Sequence, residues 1–433
     1  MQPELIKRSI RCIFGAKTTC LGLLFYNFSV FLYAAGIRLA AIWNQKARLW
    51  IQGRKAFPSV SCPQKSIWMH CASLGEFEQG RPVLEEMKKN YPGYPVVVSF
   101  FSPSGYEIRK NYPGADNIIY LPVDTKANAE KLVKQINPAL VLWVKYEYWY
   151  HYLAVLKRNH IPVVLVSGIF RDSQPFFKWY GGIWRTMLGF FTQLFVQNEP
   201  SLSLLRSIGM DHNTALAGDT RFDRVIEIAE KKEPVPHITG FIGNHPVLVA
   251  GSTWEDDEVV LIHYVKLHPE IKFIIAPHEI DAANLKDVKK EFAHAVFYSE
   301  LGNISNLPVQ TNVLIIDNIG MLSRLYQYAH ITYIGGGFGS DGIHNSLEAA
   351  VYGKPVIFGP VYQKFAEAND LVQRGGAFSI ENALELEALL NRLFEQPTLL
   401  SKAGIASKEY VNEKKGATRR IIDYVKEKRL LTN

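Results

Sequence analysis

The sequence predicts an α/β protein built from two parallel β-sheets, each covered by helices on both faces. Short apolar runs rich in β-branched residues alternate with amphipathic segments, which is typical of buried parallel strands and the helices that connect them. The charged, Pro-rich segment Glu230–Pro236 interrupts this alternation, which then restarts. The chain has 433 residues, whereas single cores stop growing at roughly 250–300 residues. We therefore expect two Rossmann-like domains with a cleft between them.

The predicted elements follow this alternation in both halves of the chain. In the first half the predicted strands are Ser66–Met69, Val96–Phe100, Ile118–Leu121, Leu140–Val144, Val163–Val166 and Gln193–Val196. The helices between them include Glu78–Asn90 and Lys126–Ile136. In the second half the predicted strands are Val247–Ala250, Phe273–Ala276, Val313–Ile316, Ile331–Ile334 and Val356–Phe358. We place the first domain at 57–229, a linker at 230–239, the second domain at 240–406 and a final helix at 407–433.

The positive charge of the chain is concentrated at its N-terminus. The chain has 48 Lys plus Arg and 41 Asp plus Glu, and residues 1–56 contain nine of the basic residues and one of the acids. That segment has a net charge of +8, which leaves 39 basic and 40 acidic residues, a net charge of −1, in the rest. A nucleic-acid-binding protein is disfavoured, because the bulk of the chain is almost neutral.

A long uncharged segment, Thr18–Ile37, lies between Lys17 and Arg38. Its twenty residues match the ~20 that cross a bilayer as a helix, and Trp43 and Trp50 follow, as is typical near lipid headgroups. We expect residues 1–56 to form an uncleaved membrane anchor, with a helix lying in the interface as its shallower form. A cleaved signal peptide and a buried core helix are the alternatives.

The four cysteines, Cys12, Cys20, Cys62 and Cys71, all lie in the first 71 residues. They form no C-x-x-C pair and have no matching histidine cluster. This distribution predicts free thiols in a reducing compartment, with neither a disulfide framework nor a zinc site.

The segment His70–Glu78 follows the first predicted strand with the sequence HCASLGEFE. This position puts Glu76 at the carboxyl end of a sheet, where α/β folds bind ligands, and close to the start of a helix. A carboxylate held there can take a proton from a substrate hydroxyl. The alternative is that Glu76 only caps its helix.

A glycine-rich segment follows the predicted strand Ile331–Ile334 and contains a G-x-G-x-x-G pattern at Gly337, Gly339 and Gly342. A dinucleotide site is disfavoured, because the residues about 20 positions on, Tyr362–Lys364, include no acid for a ribose. We expect these glycines to let backbone amides approach a phosphate.

A helix is expected to start near Asn345 and to direct its dipole at the same anion. Glu348, one turn into that helix, can accept hydrogen bonds from both hydroxyls of a ribose. The turn Gly353-Lys354-Pro355 leads into the next strand. An exposed Glu and an ordinary turn are the alternatives for the separate pieces.

Taken in this order, the glycine loop, Glu348 and the turn resemble the nucleotide-sugar site of GT-B glycosyltransferases. The whole chain resembles the 3-deoxy-D-manno-octulosonic acid (Kdo) transferases, which move Kdo from CMP-Kdo onto a lipid A precursor. The resemblance runs nearly end to end through RLWIQGRK, HCASLGE, SFFSPSGYE, IIYLPVD, NPALVLWVKYEYW, VQNE, LAGDTRFD, GSTWEDDE, APHE and GGGFGSDGIHNSLEAAVYGKPVIFGP. It implies a GT-B fold, with two Rossmann-like domains facing a central cleft and an N-terminal membrane-anchoring helix.

The resemblance also implies catalytic roles. Glu76 takes the place of the general base that deprotonates the acceptor sugar. Arg221 stands where the family usually has a Lys that stabilises the transition state. Lys145 stands where the family has the first acid of an acid-x-acid pattern, and Glu147 keeps the second. Either Lys145 engages a phosphate or carboxylate directly or Glu147 has taken over, and a buried ion pair is the alternative for Glu147.

The same resemblance implies two sets of substrate contacts. CMP would contact Pro277, His278, Ile319, Gly320, Met321, Asn345, Ser346, Leu347 and Glu348. His278 replaces a common Arg of the family, so its role at the phosphate is open. The acceptor side would include Ser102 and Ser104, for which an ordinary Pro-Ser-Gly turn is the alternative.

The expected function is an inverting single displacement that transfers Kdo from CMP-Kdo to a lipid A precursor. We expect no cofactor and no obligatory metal, since no D-x-D pattern ends a suitable strand. Anionic lipids of the inner membrane are further expected partners, with the catalytic domains on its cytoplasmic side. The alternatives are a GT-B enzyme that uses a UDP- or GDP-sugar on a membrane acceptor and a non-catalytic nucleotide-binding membrane protein.

Overall fold

The computed structural model of the chain describes residues 3–292, 294–302 and 311–432, with side chains from Leu21 onward. It forms two compact units. Unit 1 contains Met1–Asp223 and Gly416–Asn433, and unit 2 contains Arg224–Lys415. Each unit is described by itself below.

Unit 1 is built on a parallel sheet that has seven strands within the described residues. The strands are β1 (Ser66–Cys71), β2 (Val96–Phe100), β3 (Asn117–Tyr120), β4 (Pro138–Val144), β5 (Val163–Gly168), β6 (Gln193–Val196) and β7 (Thr214–Leu216). Their order is β3-β2-β1-β4-β5-β6-β7, which is the Rossmann order extended by one strand. The carboxyl ends of β1, β4 and β5 therefore meet at one edge.

The strands of unit 1 are buried on both faces, as their continuous apolar runs predict. Because successive side chains point to opposite faces, Trp68 packs into one hydrophobic cluster while Ile67 and Met69 pack into the other. The helices that form these two layers are α1 (Pro3–Ala40), α2 (Gln45–Gln52), α3 (Leu74–Asn90), α4 (Pro103–Arg109), α5 (Lys126–Ile136), α6 (Tyr150–Arg158), α7 (Gly182–Leu188), α8 (Glu199–Ser207) and α19 (Ala417–Glu427).

The N-terminal helix α1 is partly docked on unit 1. Within the described residues, the structure has one helix long and apolar enough to cross a membrane, Leu21–Ala40, with a mean hydropathy of 1.4. The Tyr26 hydroxyl donates to Asp124 Oδ2 (2.6 Å), and Asn27 Oδ1 lies 2.7 Å from His151 Nε2. Its opposite face exposes large apolar side chains: Leu21, Leu24, Phe25, Phe28, Phe31 and Leu32.

Unit 2 repeats the architecture with a second parallel sheet of seven strands in the described part of the chain. The strands are β8 (Val247–Thr253), β9 (Lys272–Pro277), β10 (Val296–Phe297), β11 (Val313–Ile315), β12 (Ile331–Ile334), β13 (Val356–Phe358) and β14 (Ala377–Ser379). Their order is β10-β11-β9-β8-β12-β13-β14. The helices are α10 (Ile238–Ile242), α11 (Glu255–Leu267), α12 (Ala282–Glu291), α13 (Tyr298–Leu301), α14 (Leu322–Leu325), α15 (Leu347–Ala350), α16 (Ala366–Gln373), α17 (Ala383–Glu395) and α18 (Pro397–Glu413).

Every predicted strand is present within a few residues of its predicted limits, and the sequence missed β7, β10 and β14. These three strands have only two or three residues and lie at or next to sheet edges, so they are too short for a recognisable pattern. The two thiols with described side chains, Cys62 and Cys71, are free and buried, whereas Cys12 and Cys20 lie outside the described side chains.

The predicted linker and final helix differ from the structure. Helix α9 (Thr220–Lys231) runs through the start of the predicted linker at 230–239, and the units divide at Asp223. The predicted helix over 407–433 is two helices, α18 and α19, because Gly416 adopts φ +103 and ends the helical path. The residues from Gly416 onward belong to unit 1.

Helix α19 is anchored in unit 1 by both polar and apolar contacts. The Asp223 carboxylate accepts hydrogen bonds from the backbone N–H groups of Gly416 (2.6 Å) and Thr418 (2.7 Å) at the start of the helix. Ile421 and Val425 are fully buried in the cluster that covers one face of the sheet. The end of the chain therefore completes the core of the first unit.

We expect Ile421→Ala to lower the free energy of unfolding by about 2–5 kcal/mol, because it leaves a cavity beneath the sheet. The neighbouring Arg419 is mostly exposed, so Arg419→Ala should change the free energy of unfolding by less than about 0.5 kcal/mol. Thermal unfolding of the detergent-solubilised chain measures both. Equal unfolding temperatures for the two variants would contradict the assignment of α19 to the core of unit 1.

Candidate functional site

Glu76 lies in the first turn of α3, directly after the carboxyl end of β1. Its side chain is buried, with 7% of the residue exposed, and its Oε2 accepts a hydrogen bond from the Ala72 N–H. This contact resembles a helix cap, which is the alternative role given for Glu76 in the sequence analysis. However, a cap at a helix start is normally exposed to water, whereas this carboxylate is not.

Burial raises the pKa of Glu76 to about 7. The hydrogen bond from Ala72 opposes this shift, the negative charge of Glu147 adds to it, and the positive charge of Lys145 opposes it. A hydrogen bond from the Tyr146 backbone also lowers the value. At neutral pH the carboxyl group therefore exchanges a proton easily, which is the property required of a general base.

Lys145 follows β4 at the same edge of the sheet. Its backbone adopts φ +58, an uncommon conformation for a residue other than glycine, and its N–H donates to Val166 O (3.1 Å). Its charge lowers the pKa of both Glu76 and Asp219. Lys145, the residue that departs from the family pattern, thus acts on the carboxylates of Glu76 and Asp219.

Glu147 is held by a chain of buried polar groups. His70 Nε2 lies 3.0 Å from Glu147 Oε2, which also accepts from the Trp149 Nε1–H (2.9 Å). Behind them, the Trp68 Nε1–H donates to Ser99 Oγ (2.8 Å), which lies 2.9 Å from His70 Nδ1. Since an ionised carboxylate only accepts hydrogen bonds, His70 Nε2 carries a proton. Glu147 therefore has a basic partner, as the buried-pair alternative requires, while its charge still acts on Glu76.

Arg221 pairs with Asp219 in the turn that leads into α9. Its Nε donates to Asp219 Oδ2 (2.8 Å), and its Nη2 lies 2.7 Å from the same oxygen. Burial alone would raise the pKa of Asp219, but the charge and hydrogen bonds of Arg221 hold it below the usual value. The guanidinium is about one quarter exposed, so it is both fixed in direction and open to a ligand.

We define the unit 1 cluster as Glu76, Lys145, Glu147, Asp219 and Arg221. Its members come from three separate segments and influence one another's charge. Tyr146 joins them, because its pKa is raised by burial and is further affected by the charges of Arg171, Glu76 and Arg221. The sequence identified four members of the unit 1 cluster and missed Asp219, although that residue stands in the quoted GDTRFD motif.

Ser102 and Ser104 lie beside the turn that contains Glu76. The Ser102 N–H donates to Ala72 O (2.7 Å), and Ser102 Oγ accepts from the Ser104 N–H (3.3 Å) as the N-cap of α4. The two hydroxyls are 3.0 Å apart. The two serines therefore form an ordinary turn, which is the alternative role given for them above. They lie beside Ala72, and their contact with an acceptor stays a prediction.

In unit 2, His278 follows Pro277 at the end of β9 and is stacked between two aromatic rings. Its ring centroid lies 4.6 Å from that of Trp254 and 4.4 Å from that of His344. The Trp254 Nε1–H donates to His344 Nε2 (3.1 Å). Burial lowers the pKa of His278 below its usual value. Burial of His344 and the charge of His278 together lower the pKa of His344 to about 4. Both rings are therefore neutral at pH 7, and His278 does not supply the charge of the Arg it replaces.

The segment from Asn345 to Glu348 forms a compact polar turn. Asn345 Nδ2 donates to Glu348 Oε1 (3.0 Å), and the Leu347 N–H donates to Asn345 Oδ1 (3.2 Å). The Ser346 hydroxyl is buried and has no hydrogen-bond partner among the described residues. Asn345 thus orients the carboxylate that the sequence assigned to a ribose.

Two expectations concern this region: a helix that starts near Asn345, and glycines that let backbone amides approach a phosphate. The helix near Asn345 is α15, which begins at Leu347 and has four residues, so its dipole is too small to attract an anion strongly. The glycine loop bonds to itself and to α11: the Gly336 N–H donates to Asp257 Oδ2 (2.8 Å). A Cβ on Gly336, which has φ +89, would lie 2.6 Å from Gly342 O. The glycines at 336 and 342 are therefore required by the close packing of the loop.

The segment Ile319–Met321 precedes α14. Gly320 adopts φ +97, Met321 is buried, and Ile319 is 79% exposed. An apolar side chain exposed beside a left-handed turn is compatible with the predicted contact to a ligand. Within the described residues no group of three or more His, Cys, Asp or Glu side chains is arranged to hold a metal ion.

Comparison with known families finds similar sequences along most of the chain. A sequence model of the 3-deoxy-D-manno-octulosonic-acid transferase (kdotransferase) family matches residues 44–224, which include the whole sheet of unit 1. The 3-deoxy-D-manno-octulosonic acid transferase of Haemophilus influenzae is 24% identical over 90% of this chain and 94% of that protein. The enzyme of the same name from Aquifex aeolicus is 25% identical over 78% of this chain and 90% of its own length.

A further relative contains an additional activity. The bifunctional glycosyltransferase/methyltransferase of Fusobacterium nucleatum is 27% identical over 74% of this chain, and the chain spans 51% of the length of that relative. The match therefore covers about half of a longer protein.

Solved structures support the fold. The UDP-GlcNAc 2-epimerase of Neisseria meningitidis, bound to UDP-GlcNAc, aligns with 84% of this chain and 100% of its own at a TM-score of 0.58 and 16% identity. A glycosyltransferase from Rickettsia africae aligns with 86% of this chain and 100% of its own at 0.50 and 16% identity.

These likenesses show the fold alone, and they confirm the predicted GT-B-type architecture of two Rossmann-like units. The sequence relatives extend through both units, and the family model covers the sheet of unit 1. The chain is thus similar in sequence, over most of its length, to 3-deoxy-D-manno-octulosonic acid transferases.

Proposed function

We propose that the protein transfers Kdo from CMP-Kdo to a lipid A precursor in lipopolysaccharide biosynthesis. The observation that carries the proposal is the buried carboxyl group of Glu76, whose pKa of about 7 suits a general base at neutral pH. The relatives named above supply the sugar, since their names specify Kdo. Unit 1 would bind the acceptor and unit 2 the donor.

The reaction is a single displacement with inversion. Glu76 takes the proton of an acceptor hydroxyl while that oxygen forms a bond to the anomeric carbon of Kdo. The bond from that carbon to the CMP phosphate breaks, and CMP leaves with the electron pair. Arg221, which Asp219 holds in direction, stabilises the negative charge that develops on the departing phosphate.

The donor side depends on hydrogen bonds more than on charge. The buried Ser346 hydroxyl has no partner within the described part of the chain, so it can bond to a nucleotide without losing another contact. Glu348, oriented by Asn345, would accept from the ribose hydroxyls. His278 is neutral at pH 7 because burial lowers its pKa, so it would donate a single hydrogen bond rather than bind phosphate as a cation.

The N-terminal helix would hold the enzyme at the cytoplasmic face of a bacterial inner membrane. Tyr26 and Asn27 bond to unit 1, so this part of α1 lies against the protein while its other face exposes apolar side chains. A helix docked in this way fits the headgroup region better than a full crossing.

Incubation of the purified chain with CMP-Kdo and a tetra-acylated lipid A precursor should add the mass of Kdo to the lipid. Glu76→Gln should reduce this transfer by about 100-fold or more, because the amide cannot take the proton, and should retain CMP binding. Glu78→Gln is the matched control on the same helix, since Glu78 only pairs with Arg81 and Arg109 at the surface. Mass spectrometry of the lipid measures both variants.

Near wild-type transfer by Glu76→Gln would remove Glu76 as the base without excluding a Kdo transferase. Binding of UDP or GDP in preference to CMP would instead indicate a different sugar nucleotide. Transfer by neither the wild type nor any variant, together with retained CMP binding, would indicate a nucleotide-binding protein without this activity.

The pH dependence of transfer should show how the unit 1 cluster sets the base. Activity should rise with pH through about 7, because Glu76 acts in its ionised form. Since Lys145 lowers the pKa of Glu76 and Glu147 raises it, Lys145→Gln should move the rise to higher pH and Glu147→Gln to lower pH. Single-turnover rates, each normalised to the maximum of its variant, measure the shifts. Two shifts in the same direction would contradict this arrangement.

Removal of divalent cations should leave the reaction unchanged. The described residues contain no carboxylate and histidine group suited to a metal, and Arg221 is available to the phosphate. We expect transfer rates within about twofold with and without excess EDTA, a change below about 0.4 kcal/mol. A loss of rate that Mg²⁺ or Mn²⁺ restores would show that the proposal is wrong on this point.

A further inference from the structure

A cavity of about 750 Å³ lies in unit 1 between α1 and the segments that follow α2 and β3. Its volume is within the range of ~300–1,000 Å³ that is usual for pockets that bind small molecules. None of the residues that line it belongs to the unit 1 cluster. It is therefore a separate feature of the same unit.

The two sides of the cavity differ in chemistry. On the side of α1 the wall is apolar and includes Val30, Phe31 and Ala34. The other side contributes basic groups from Arg54, Lys55 and Lys126, and Arg38 stands at the end of the α1 wall. A pocket with one apolar wall and several cations matches a molecule that has a hydrocarbon part and an anionic head.

The acid that lines this cavity, Asp124, is already engaged. It accepts hydrogen bonds from the Tyr26 hydroxyl (2.6 Å) and from the backbone N–H groups of His151 (3.0 Å) and Tyr152 (3.1 Å). These contacts cap the start of α6 and dock α1. The cations of the cavity are therefore not neutralised by it.

Arg54 is the most deeply placed of these cations. Its guanidinium donates to the carbonyl oxygens of Leu121 (2.8 Å), Phe101 (2.7 Å) and Trp50 (3.2 Å), and among the described residues no carboxylate lies within ion-pair distance. It also stacks over the Trp50 ring at 4.0 Å. Burial lowers the pKa of Arg54 to about 10, so it remains protonated at pH 7. A fixed, buried positive charge without an acidic partner favours the binding of an anion.

Two further groups of the wall offer hydrogen bonds to such an anion. Helix α5, which has eleven residues, begins at Lys126 in the cavity wall, so its positive dipole end faces the same space. Trp50, 94% buried, lines the cavity and its Nε1–H has no partner within the described residues.

The position of the cavity along α1 indicates the source of the ligand. The apolar part of α1 ends at Arg38, and the exposed Trp43 follows, which is the pattern of a helix that reaches the headgroup layer. The wall of the cavity reaches this end of α1 at Arg38, which favours a ligand from the headgroup layer.

We propose that this cavity binds one anionic phospholipid of the membrane, with the phosphate at Arg54, Lys55 and Lys126 and the start of an acyl chain along Val30 and Phe31. The bound lipid would fix the orientation of unit 1 on the membrane surface. This role is separate from the proposed transfer reaction and does not require it.

Native mass spectrometry of the full chain in detergent tests the proposal with dioleoyl phosphatidylglycerol and dioleoyl phosphatidylcholine as probes. We expect one phosphatidylglycerol to be retained and phosphatidylcholine to bind at least tenfold more weakly. Lys55→Gln with Lys126→Gln should weaken phosphatidylglycerol about 30-fold, since each cation near an anionic headgroup contributes about one factor of five to six. Lys55→Arg with Lys126→Arg should retain binding.

Lys110→Gln with Lys157→Gln is the matched control, because these lysines of unit 1 lie outside the cavity. Equal affinity for the two lipids, or equal losses in the cavity and control variants, would overturn the proposal. Displacement of phosphatidylglycerol by the tetra-acylated acceptor, but not by equal concentrations of phosphatidylcholine, would assign the cavity to the acceptor and overturn the membrane lipid as its ligand. Because no donor is present, these outcomes are independent of the transfer assay.

Discussion

The burial of one carboxyl group at the carboxyl edge of a parallel sheet is the constraint on which the rest of unit 1 depends. Removing Glu76 from water raises the pKa of its acid, and the two hydrogen bonds from the backbone limit that rise. Lys145 and Glu147 then act in opposite directions on the same group. The pKa of Glu76 thus depends on opposing charges, and the cation at Lys145 keeps that pKa from rising further.

The other contacts of the unit 1 cluster keep this balance in place. His70 and Trp149 hold Glu147, and Ser99, to which Trp68 donates, contacts the other ring nitrogen of His70. Asp219 likewise holds Arg221. Glu147 and Arg221 are therefore each held in one orientation by their neighbours.

The sequence predicted the two sheets well, because long apolar runs between polar helices have few alternative structures. It failed where structure depends on distant contacts. The break at Gly416, the four-residue helix α15 and the neutral stack around His278 each result from packing between segments far apart in sequence. The order of the motifs along the sequence predicted Glu76 as the candidate base. The raised pKa of Glu76 arises from burial, which the spacing of residues in the sequence does not reveal. In the glycine loop, residues that match a phosphate motif also serve the packing of the loop, which the motif itself does not reveal.

The return of the chain to unit 1 affects how the protein is made. Helix α19 covers one face of the first sheet, yet it is synthesised after the whole of unit 2. During synthesis, the apolar surface formed by Val83 and Met87 lacks this cover until α19 has been made. Unit 2 must be translated in the interval. Completion of the core of unit 1 thus depends on translation through unit 2, and a product truncated before Gly416 would have an unfinished core.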